Sequence, residues 1–426
     1  MGDGVTAREL FPDIHLIPGL EKIDGYTGLR NAIAEHFKVT PKRNYFEFAY
    51  DWRRDNRVSA RRLKTLAESW LSNWRHEKGN NEPKMVLICH SMGGLIARYF
   101  LEVLDGWRNT RALITFGTPY RGSVKALDYV SNGYSVGSIS LDSVTELFRS
   151  FTSIYQLLPI YECCYGTAPN PVELTAFPGA IANVDIKRAN EALKLHDEMR
   201  AAAEKNRLNP EYLNGRYDFA PVIGIGEPTA STVKVSAGSL VVNEVDGDRG
   251  GDGTVSRESA DPPKGEQESA AHYVHGFHGS LQNSVYSWWQ LAGILKGPYP
   301  VPGEKKYLYW DDEKVVSEFL KYSAPPPTDV AVGLRIRDAY TRSTPIAVQL
   351  RRGQNVETEL QLTIETEESH TVFEKTIAAK NEGQWYDFSL VSLPPNSYRI
   401  RVNAHNQPRG FPQELNAAVS DVFLVI

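Results

Sequence analysis

A serine stands at the point where an apolar run with strand character turns into an apolar, helix-like stretch. The run covers residues 85–89, and Ser91 is followed two positions later by Gly93. A strand-to-helix turn this tight strains the backbone of its serine, so the residues two places away must be small, and Cys89 stands where glycine is usual. The pattern predicts Ser91 as a nucleophile and the backbone N–H of Met92 as a donor to a developing oxyanion. The alternative is that Ser91 only caps the helix that follows it.

A carboxylate and several histidines follow this serine in the chain. Asp252 lies between two glycines after a strand-like run at 239–245. A general base must hang free on a loop before a helix, so that its imidazole can reach the serine. His278 fits this requirement best because a helix-like stretch begins just after it, and His275 is the alternative. Two further histidines are predicted to be structural, namely His272 and His90.

The acidic residues around Asp252 allow a second interpretation. A calcium loop could be formed by Glu244, Asp246, Asp248 and Asp252. The EF-hand spacing and the terminal glutamate of such loops are missing, which favours the catalytic interpretation. The three cysteines show no paired C-x-x-C spacing. We therefore expect no metal site and no cofactor.

The composition is that of an ordinary globular protein. The chain has 426 residues, of which 41% are hydrophobic and 23% charged, and its net charge is -5. Phosphate binding needs a concentrated excess of Lys and Arg, so no nucleic-acid partner is expected. The first residues lack a signal-peptide profile, and no apolar run approaches the roughly 18 residues needed to cross a bilayer. These features predict a cytoplasmic protein with reduced cysteines.

The elements that must position the candidate residues alternate between strand-like and helical patterns. The strand candidates are 14–17, 45–50, 85–89, 112–116 and 222–225. Between the second and third of these, a helix over 57–74 is predicted by the spacing of Leu63, Leu66, Trp70 and Trp74. Alternation of this kind is typical of βαβ units around a mostly parallel sheet, so the predicted fold class is α/β.

Changes of pattern divide the chain into units. A catalytic domain is predicted over 1–323, with an insertion at about 124–214 that contains one clear helix around 185–205. The Pro-rich segment 324–327 is a predicted linker. Repeated period-two stretches then predict a C-terminal all-β sandwich of about seven strands over 328–426.

Several short motifs occur in one order between about residue 10 and residue 290. They are Asp13-Ile-His-Leu-Ile-Pro-Gly-Leu, Tyr50-Asp-Trp-Arg, His90-Ser-Met-Gly-Gly, Ile114-Thr-Phe-Gly-Thr-Pro, Tyr155-Gln-Leu-Leu-Pro and Gly251-Asp-Gly-Thr-Val. This set resembles the lecithin:cholesterol acyltransferase-like family of α/β-hydrolases. The resemblance implies an α/β-hydrolase fold and an acyl hydrolase or acyltransferase that acts on ester-linked lipids through a Ser, Asp and His triad. The tail after Pro327 is not covered by it.

The front of the chain departs from that family pattern. Members carry an earlier strand that ends in a Pro-Gly loop with an oxyanion-hole N–H, whereas Pro18-Gly19 resembles their second, later Pro-Gly element. A poorly formed oxyanion hole and an unpaired sheet position are therefore expected. A chain extended by such a strand is expected to be more soluble and faster.

The insertion and the C-terminal tail also bear on function. Apolar residues between 120 and 165 predict a flexible lid over the serine, which could also contact a membrane surface transiently. The first hypothesis is an esterase, lipase, phospholipase or O-acyltransferase in which Ser91, His278 and Asp252 act on a lipid carboxylic ester. The alternative is a catalytically silent protein of the same fold that binds a lipid or protein partner. The tail is expected to be either a binding module for an unknown partner or a structural cap.

Overall fold

The structure is a computed structural model of the chain. It describes residues 7–10, 15–17, 21–23, 25–37, 39–133, 135–136, 139–140, 142–245, 250–263, 271–296, 332–336, 339–352, 359–366, 370–378, 385–390, 392–406 and 415–425. No helix in these ranges combines the length and the apolar character needed to cross a membrane.

Strands and helices alternate over the first part of the chain. The strands here are β1 His15–Ile17, β2 Glu21–Ile23, β3 Met85–His90, β4 Thr110–Phe116, β5 Ser135–Val136, β6 Ile139–Ser140, β7 Cys164–Tyr165, β8 Asp218–Ile225, β9 Thr229–Ser236, β10 Ser239–Val245 and β11 His272–His275. The helices are α1 Thr27–His36, α2 Asn56–Lys78, α3 Gly93–Val103, α4 Val124–Asn132, α5 Asp142–Ser150, α6 Thr152–Tyr155, α7 Ile186–Asn206, α8 Pro210–Gly215, α9 Arg257–Ala260 and α10 Val285–Lys296. Short 3-10 helices cover Gly106–Asn109, Leu174–Ala176 and His278–Asn283.

Within the described residues, four parallel strands form the central sheet, in the order β11-β8-β4-β3. β4 is buried along nearly its whole length because strands flank it on both sides and helices cover both of its faces. Leu113 packs with residues of α2 and α3 on one face, whereas Ile114 and Phe116 pack with residues of α1 and α10 on the other. This alternation follows from the two-residue period of a strand. The sheet confirms the predicted α/β-hydrolase fold.

The long helix α2 extends beyond both ends of the predicted one. Asp55 caps its start by accepting the N–H of Arg57, and Gly79 ends it in the left-handed conformation with φ 58°. Its buried residues recur at helical spacing and include Leu63, Ala67 and Leu71. α2 therefore covers one face of the sheet next to α3, as the amphipathic pattern predicts.

Two predicted strands differ from the structure. The segment 45–50 forms no strand, because Tyr45 makes only an isolated bridge to Pro41 and residues 46–50 have no regular structure. Its aromatic residues pack on α2 instead, and Phe46 stacks on Trp70. The other predicted strand, 14–17, corresponds to β1. It pairs antiparallel with β2 in a separate sheet and does not join the central one. β3 is consequently the edge of the central sheet within the described residues.

The insertion contains more helix than predicted. α7 agrees with the helix expected around 185–205, and α4, α5, α6 and α8 accompany it. A separate sheet of order β10-β9-β7 connects the insertion to the hairpin of β9 and β10. Val124 and Ile154 from the helices share one buried cluster with Val233 and Leu240 from the hairpin. The insertion and the hairpin thus have a core of their own.

The C-terminal part is all-β. Its strands are β12 Val332–Ile336, β13 Ala339–Tyr340, β14 Ile346–Arg352, β15 Glu359–Thr366, β16 Thr371–Ala378, β17 Trp385–Leu390, β18 Asn396–Asn406 and β19 Leu415–Val425. They form a three-stranded sheet, β12-β14-β17, and a five-stranded sheet, β13-β19-β18-β15-β16. Alternate residues such as Leu360, Leu362 and Ile364 belong to one buried cluster that both sheets share, which confirms the predicted sandwich. The predicted linker 324–327 lies outside the described residues.

Candidate active site

The turn between β3 and α3 holds Ser91 in a left-handed backbone conformation, with φ 52°. Such a conformation is strained for a residue with a side chain and is typical of a nucleophile elbow. The Ser91 N–H donates to the Phe116 carbonyl at 2.8 Å, and the Thr118 hydroxyl donates to the Ser91 carbonyl at 2.8 Å. Hydrogen bonds from the end of β4 and the residues after it therefore hold the strained turn in place.

Close packing explains which glycine the elbow needs. A Cβ on Gly94 would lie 2.2 Å from the Thr118 hydroxyl oxygen, so only glycine fits there. A Cβ on Gly93 would meet nothing closer than 3.8 Å, where it would touch the Cβ of Cys89. The elbow thus has room for Cys89 in place of glycine. Burial raises the pKa of this thiol to about 12, which keeps it protonated and a poor nucleophile.

The structure brings His278 to the serine. Its Nε2 lies 2.8 Å from Ser91 Oγ, and its Nδ1 lies 2.8 Å from Asp252 Oδ2. Both His278 and Asp252 are only 1% exposed. Because a carboxylate can only accept, Nδ1 carries the proton that points at Asp252, and Nε2 accepts from the serine hydroxyl. A chain of two hydrogen bonds therefore runs from Ser91 through His278 to Asp252.

Backbone donors fix the Asp252 carboxylate. Its second oxygen, Oδ1, accepts from the N–H groups of Thr254 and Val255 at 3.1 and 2.7 Å. The Asp252 carbonyl accepts from the His278 N–H at 2.8 Å, which ties the two loops together. A buried carboxylate with these partners has one orientation, and that orientation points Oδ2 at the imidazole.

The other candidates for base and metal ligand have different surroundings. The alternative base, His275, faces Glu227, whose fully buried carboxylate oxygen Oε1 lies 3.5 Å from His275 Nε2. His272 is half-buried on β11, and burial lowers its pKa. Two members of the calcium alternative, Asp246 and Asp248, lie outside the described residues. In the ranges that are described, no group of three His, Cys, Asp or Glu residues could hold a metal ion.

His90, predicted to be structural, lies beside His278. Its Nε2 lies 2.8 Å from the backbone carbonyl of His278, and its Nδ1 lies 3.0 Å from the Tyr26 hydroxyl. Since a carbonyl only accepts, Nε2 carries the proton and Nδ1 accepts from the tyrosine. Burial, and after it the neighbouring His278, lowers the pKa of His90 to about 3. A neutral imidazole therefore connects the elbow to the segment that carries His278.

Two glycines that the sequence analysis did not assign to the site make room for it. A Cβ on Gly117 would lie 2.8 Å from Asp252 Oδ2 and 3.0 Å from His278 Nδ1. A Cβ on Gly224 would lie 2.5 Å from the Asp252 Cβ. Gly117 follows β4 directly and Gly224 lies near the end of β8, so both stand at carboxyl ends of parallel strands. That placement is the signal by which they could have been found.

The backbone N–H of Met92, predicted as a donor to an oxyanion, lies beside Ser91. Met92 stands at the start of α3, and its N–H has no hydrogen-bond acceptor within the described part of the chain. An uncommitted N–H next to the serine is what an oxyanion hole requires. The Pro18-Gly19 element lies outside the described residues.

A cavity of about 370 Å³ opens at Ser91. Most of its lining is aromatic or apolar and includes Tyr26, Tyr50, Trp52, Met92, Tyr129 and Leu157. Trp52 also packs on two rings of the insertion, Phe148 and Phe151, with centroids 5.9 and 5.2 Å away. The insertion, predicted to be a lid, thus borders this cavity.

Comparison with known proteins agrees with the motifs. Residues 20–194 match the model of the family described as Lecithin:cholesterol acyltransferase. This part of the chain is similar to the lecithin:cholesterol acyltransferase family. The matched residues include the elbow, whereas Asp252 and His278 lie beyond them.

The similarity to individual proteins is weak or covers only part of the chain. The chain is 30% identical over 114 residues to the uncharacterized protein YJR098C of Saccharomyces cerevisiae, a match that spans 27% of this chain and 16% of the yeast protein. Among solved structures, the Bacillus licheniformis lipase BlEst2 in its propeptide form aligns with 10% identity and a TM-score of 0.35, over 88% of this chain and 86% of that one. The mature form of that lipase aligns with 14% identity and a TM-score of 0.28, over 55% of this chain and 69% of that one.

Proposed function

We propose that this chain is a serine carboxylic-ester hydrolase or O-acyltransferase with lipid esters as substrates. The observation that carries the proposal is the line from Ser91 through His278 to Asp252, with 2.8 Å at each step, beside a largely apolar cavity. The strained backbone of Ser91 adds to it, because strain of this kind persists where the surroundings require it.

In the first half-reaction, Ser91 Oγ attacks the ester carbonyl carbon while its proton passes to His278 Nε2. Asp252 stabilises the resulting imidazolium because its Oδ2 already accepts from Nδ1. The carbonyl oxygen gains the electron pair, and the Met92 N–H donates to it. When this intermediate collapses, the ester C–O bond breaks and the leaving alcohol takes the proton from Nε2.

In the second half-reaction, an acceptor attacks the carbonyl carbon of the acyl-enzyme. Nε2 of His278 takes the proton of the acceptor and returns it to Ser91 Oγ as the serine leaves. Water as the acceptor gives a carboxylic acid, and an alcohol gives a new ester. The same residues therefore serve hydrolysis and acyl transfer, and the acceptor alone separates the two reactions.

The lining of the cavity supports a lipid acyl group as the part that is bound. Burial of an acyl chain needs apolar surface next to the nucleophile, and Trp52, Met92 and Leu157 supply it. The family that matches residues 20–194 is named for acyl transfer from one lipid to another. Both observations favour lipid esters over small polar esters.

The test is covalent labelling with a fluorophosphonate probe, which reacts with activated serines. We expect wild type to be labelled and both Ser91→Ala and His278→Ala to remain unlabelled. Ser72→Ala is the matched control, because Ser72 is exposed on α2 and does not line the cavity. A folded wild type that takes up no probe would contradict the proposal and favour the catalytically silent binding protein.

A further inference from the structure

The sandwich meets the proposed active site at Phe277, the residue directly before His278. The side chain of Phe277 is half-buried and packs against the core cluster of the sandwich, which includes Phe423 and Val425 of β19. β19 also contacts the 3-10 helix His278–Asn283. The loop that carries the proposed base thus contributes an aromatic ring to the apolar core of the C-terminal part.

The same ring borders the loop that carries the proposed acid. A Cβ on Gly253 would lie 3.4 and 3.8 Å from two ring carbons of Phe277, Cδ1 and Cε1. Gly253 directly follows Asp252 and has φ 87°. The Phe277 ring therefore packs on the sandwich core and borders the space beside Gly253 in the Asp252 loop.

Both loops contain flexible backbone at the positions that matter. Asp252 lies between Gly251 and Gly253, and Phe277-His278 lies between Gly276 and Gly279. Glycine leaves a backbone with more conformational freedom than any other residue. Contacts from outside the loops can then add to the hydrogen bonds that hold the triad, and a misplacement of about 1 Å can lower the rate about 10²-fold.

We propose that the C-terminal sandwich is a positioning element of the active site and acts through Phe277, a positioning residue. This inference rests on the proposed function. The sandwich core holds the Phe277 ring, and the ring limits how far the Gly253 segment can move toward it. These two contacts fix His278 and Asp252 relative to Ser91. The tail then has a structural role in the enzyme.

Variants of Phe277 in the full chain test this inference with a soluble p-nitrophenyl ester. For Phe277→Ala we expect kcat to fall about 10²-fold while KM stays within about twofold, because substrate binding does not involve the ring. Phe277→Leu keeps much of the apolar volume, so it should stay within about tenfold of the wild-type kcat.

Phe373→Ala is the matched control. Phe373 packs against the same cluster from β16, the edge strand of the five-stranded sheet, so its loss also weakens the sandwich core. We expect this variant to lower the thermal stability and to keep the kcat of wild type, because β18 and β15 separate β16 from β19, the strand that contacts the 3-10 helix of His278.

Hydrogen exchange measured by mass spectrometry reports how easily the two loops open, and it does not depend on turnover. In Phe277→Ala, peptides that cover 250–256 and 276–283 should exchange about tenfold faster, because local opening of both loops becomes easier. One reporter is the His278 N–H, which donates to the Asp252 carbonyl. The same peptides should be unchanged in Phe373→Ala.

The outcomes separate the two proposals. A wild-type kcat in Phe277→Ala overturns the inference, and so does unchanged exchange in both peptides. An equal loss of kcat in Phe373→Ala also overturns it, because the effect would then follow the stability of the sandwich as a whole. If wild type neither labels with the fluorophosphonate nor turns over the ester, the proposed function fails, and the exchange result alone decides whether Phe277 positions the loops.

Discussion

His90 Nε2 donates a hydrogen bond of 2.8 Å to the backbone carbonyl of His278. The residue before the proposed nucleophile thereby holds the backbone of the proposed base, while its own Nδ1 accepts from the Tyr26 hydroxyl at 3.0 Å. Protonation of His90 would make Nδ1 a donor, so that Nδ1 could no longer accept the hydrogen bond from the Tyr26 hydroxyl. This pair of hydrogen bonds therefore depends on a neutral imidazole, which the pKa of about 3 ensures.

His90 should make the protein less stable as the pH falls. Its pKa is about 3 in the folded protein, against 6.5 for an ordinary histidine in an unfolded chain. Between these values the unfolded chain binds a proton that the folded chain does not. The free energy of unfolding therefore decreases as the pH is lowered through this window, by at most about 1.4 kcal/mol per pH unit. Above the window both states are neutral and the contribution is constant.

Urea unfolding of wild type and His90→Gln between about pH 7.5 and about pH 4.5 measures this contribution. The glutamine amide can still donate to the His278 carbonyl, but it does not titrate. We expect the free energy of unfolding to fall less steeply in the variant below about pH 6.5. Parallel curves for the two proteins would mean that His90 does not change its proton occupancy on unfolding.

Local motifs were enough to propose the site residues, whereas the packing around them could not be predicted in the same way. Ser91, Asp252 and His278 stand in short glycine-containing segments, so nearby residues alone indicated them. The segment 45–50 was predicted wrongly because aromatic side chains that pack on a helix can give the same pattern as a strand. The contact between Phe277 and the sandwich joins distant parts of the chain, and no local pattern encodes such a pairing.

Loss of either partner of Ser91 should remove most of the turnover. Asp252→Asn keeps the volume of the side chain but can present an amide donor to His278 Nδ1, which then favours the wrong tautomer. His278→Ala removes the base itself. For each variant we expect kcat for a soluble ester to fall about 10⁴-fold, because the three residues act as a unit.

His275→Ala is the control for this pair. His275 faces Glu227 and not Ser91, so its kcat should stay within about tenfold of wild type. An inactive His275→Ala together with an active His278→Ala would show that the base had been assigned to the wrong histidine.

Gly117→Ala should inactivate the protein by displacing the acid and the base. The new Cβ would lie 2.8 Å from Asp252 Oδ2 and 3.0 Å from His278 Nδ1. Gly79→Ala is matched to it in backbone conformation, since φ is 58° at Gly79 and 56° at Gly117, but nothing lies within 4 Å of a Cβ there. Both variants should lose about 1–2 kcal/mol from the strained backbone. Only Gly117→Ala should lose about 10²-fold or more in kcat. Similar kcat values for the two variants would mean that the loops move to accommodate the new methyl group and keep the hydrogen bonds of Ser91, His278 and Asp252.

Trp52 should determine how well long acyl chains are distinguished from short ones. Its ring lines the cavity at Ser91 and packs on Phe148 and Phe151 of the insertion. Trp52→Ala removes apolar surface of the cavity, and we expect a long acyl chain to cover more of that surface than an acetyl group does. A lost apolar contact of this kind is worth about 1–3 kcal/mol, so the ratio of kcat/KM for a long-chain ester to that for an acetate ester should fall about 10- to 100-fold.

Trp70→Ala provides the comparison that separates acyl binding from stability. Trp70 is also a half-buried tryptophan, but it stacks on Phe46 at 4.5 Å and does not line the cavity. Its replacement should lower the melting temperature while leaving the ratio for long and short esters unchanged, because the cavity keeps its surface. If Trp70→Ala and Trp52→Ala change the ratio equally, the effect of Trp52 comes from general loosening of the fold. A fall confined to Trp52→Ala, with both proteins folded at the assay temperature, would place the acyl chain against Trp52.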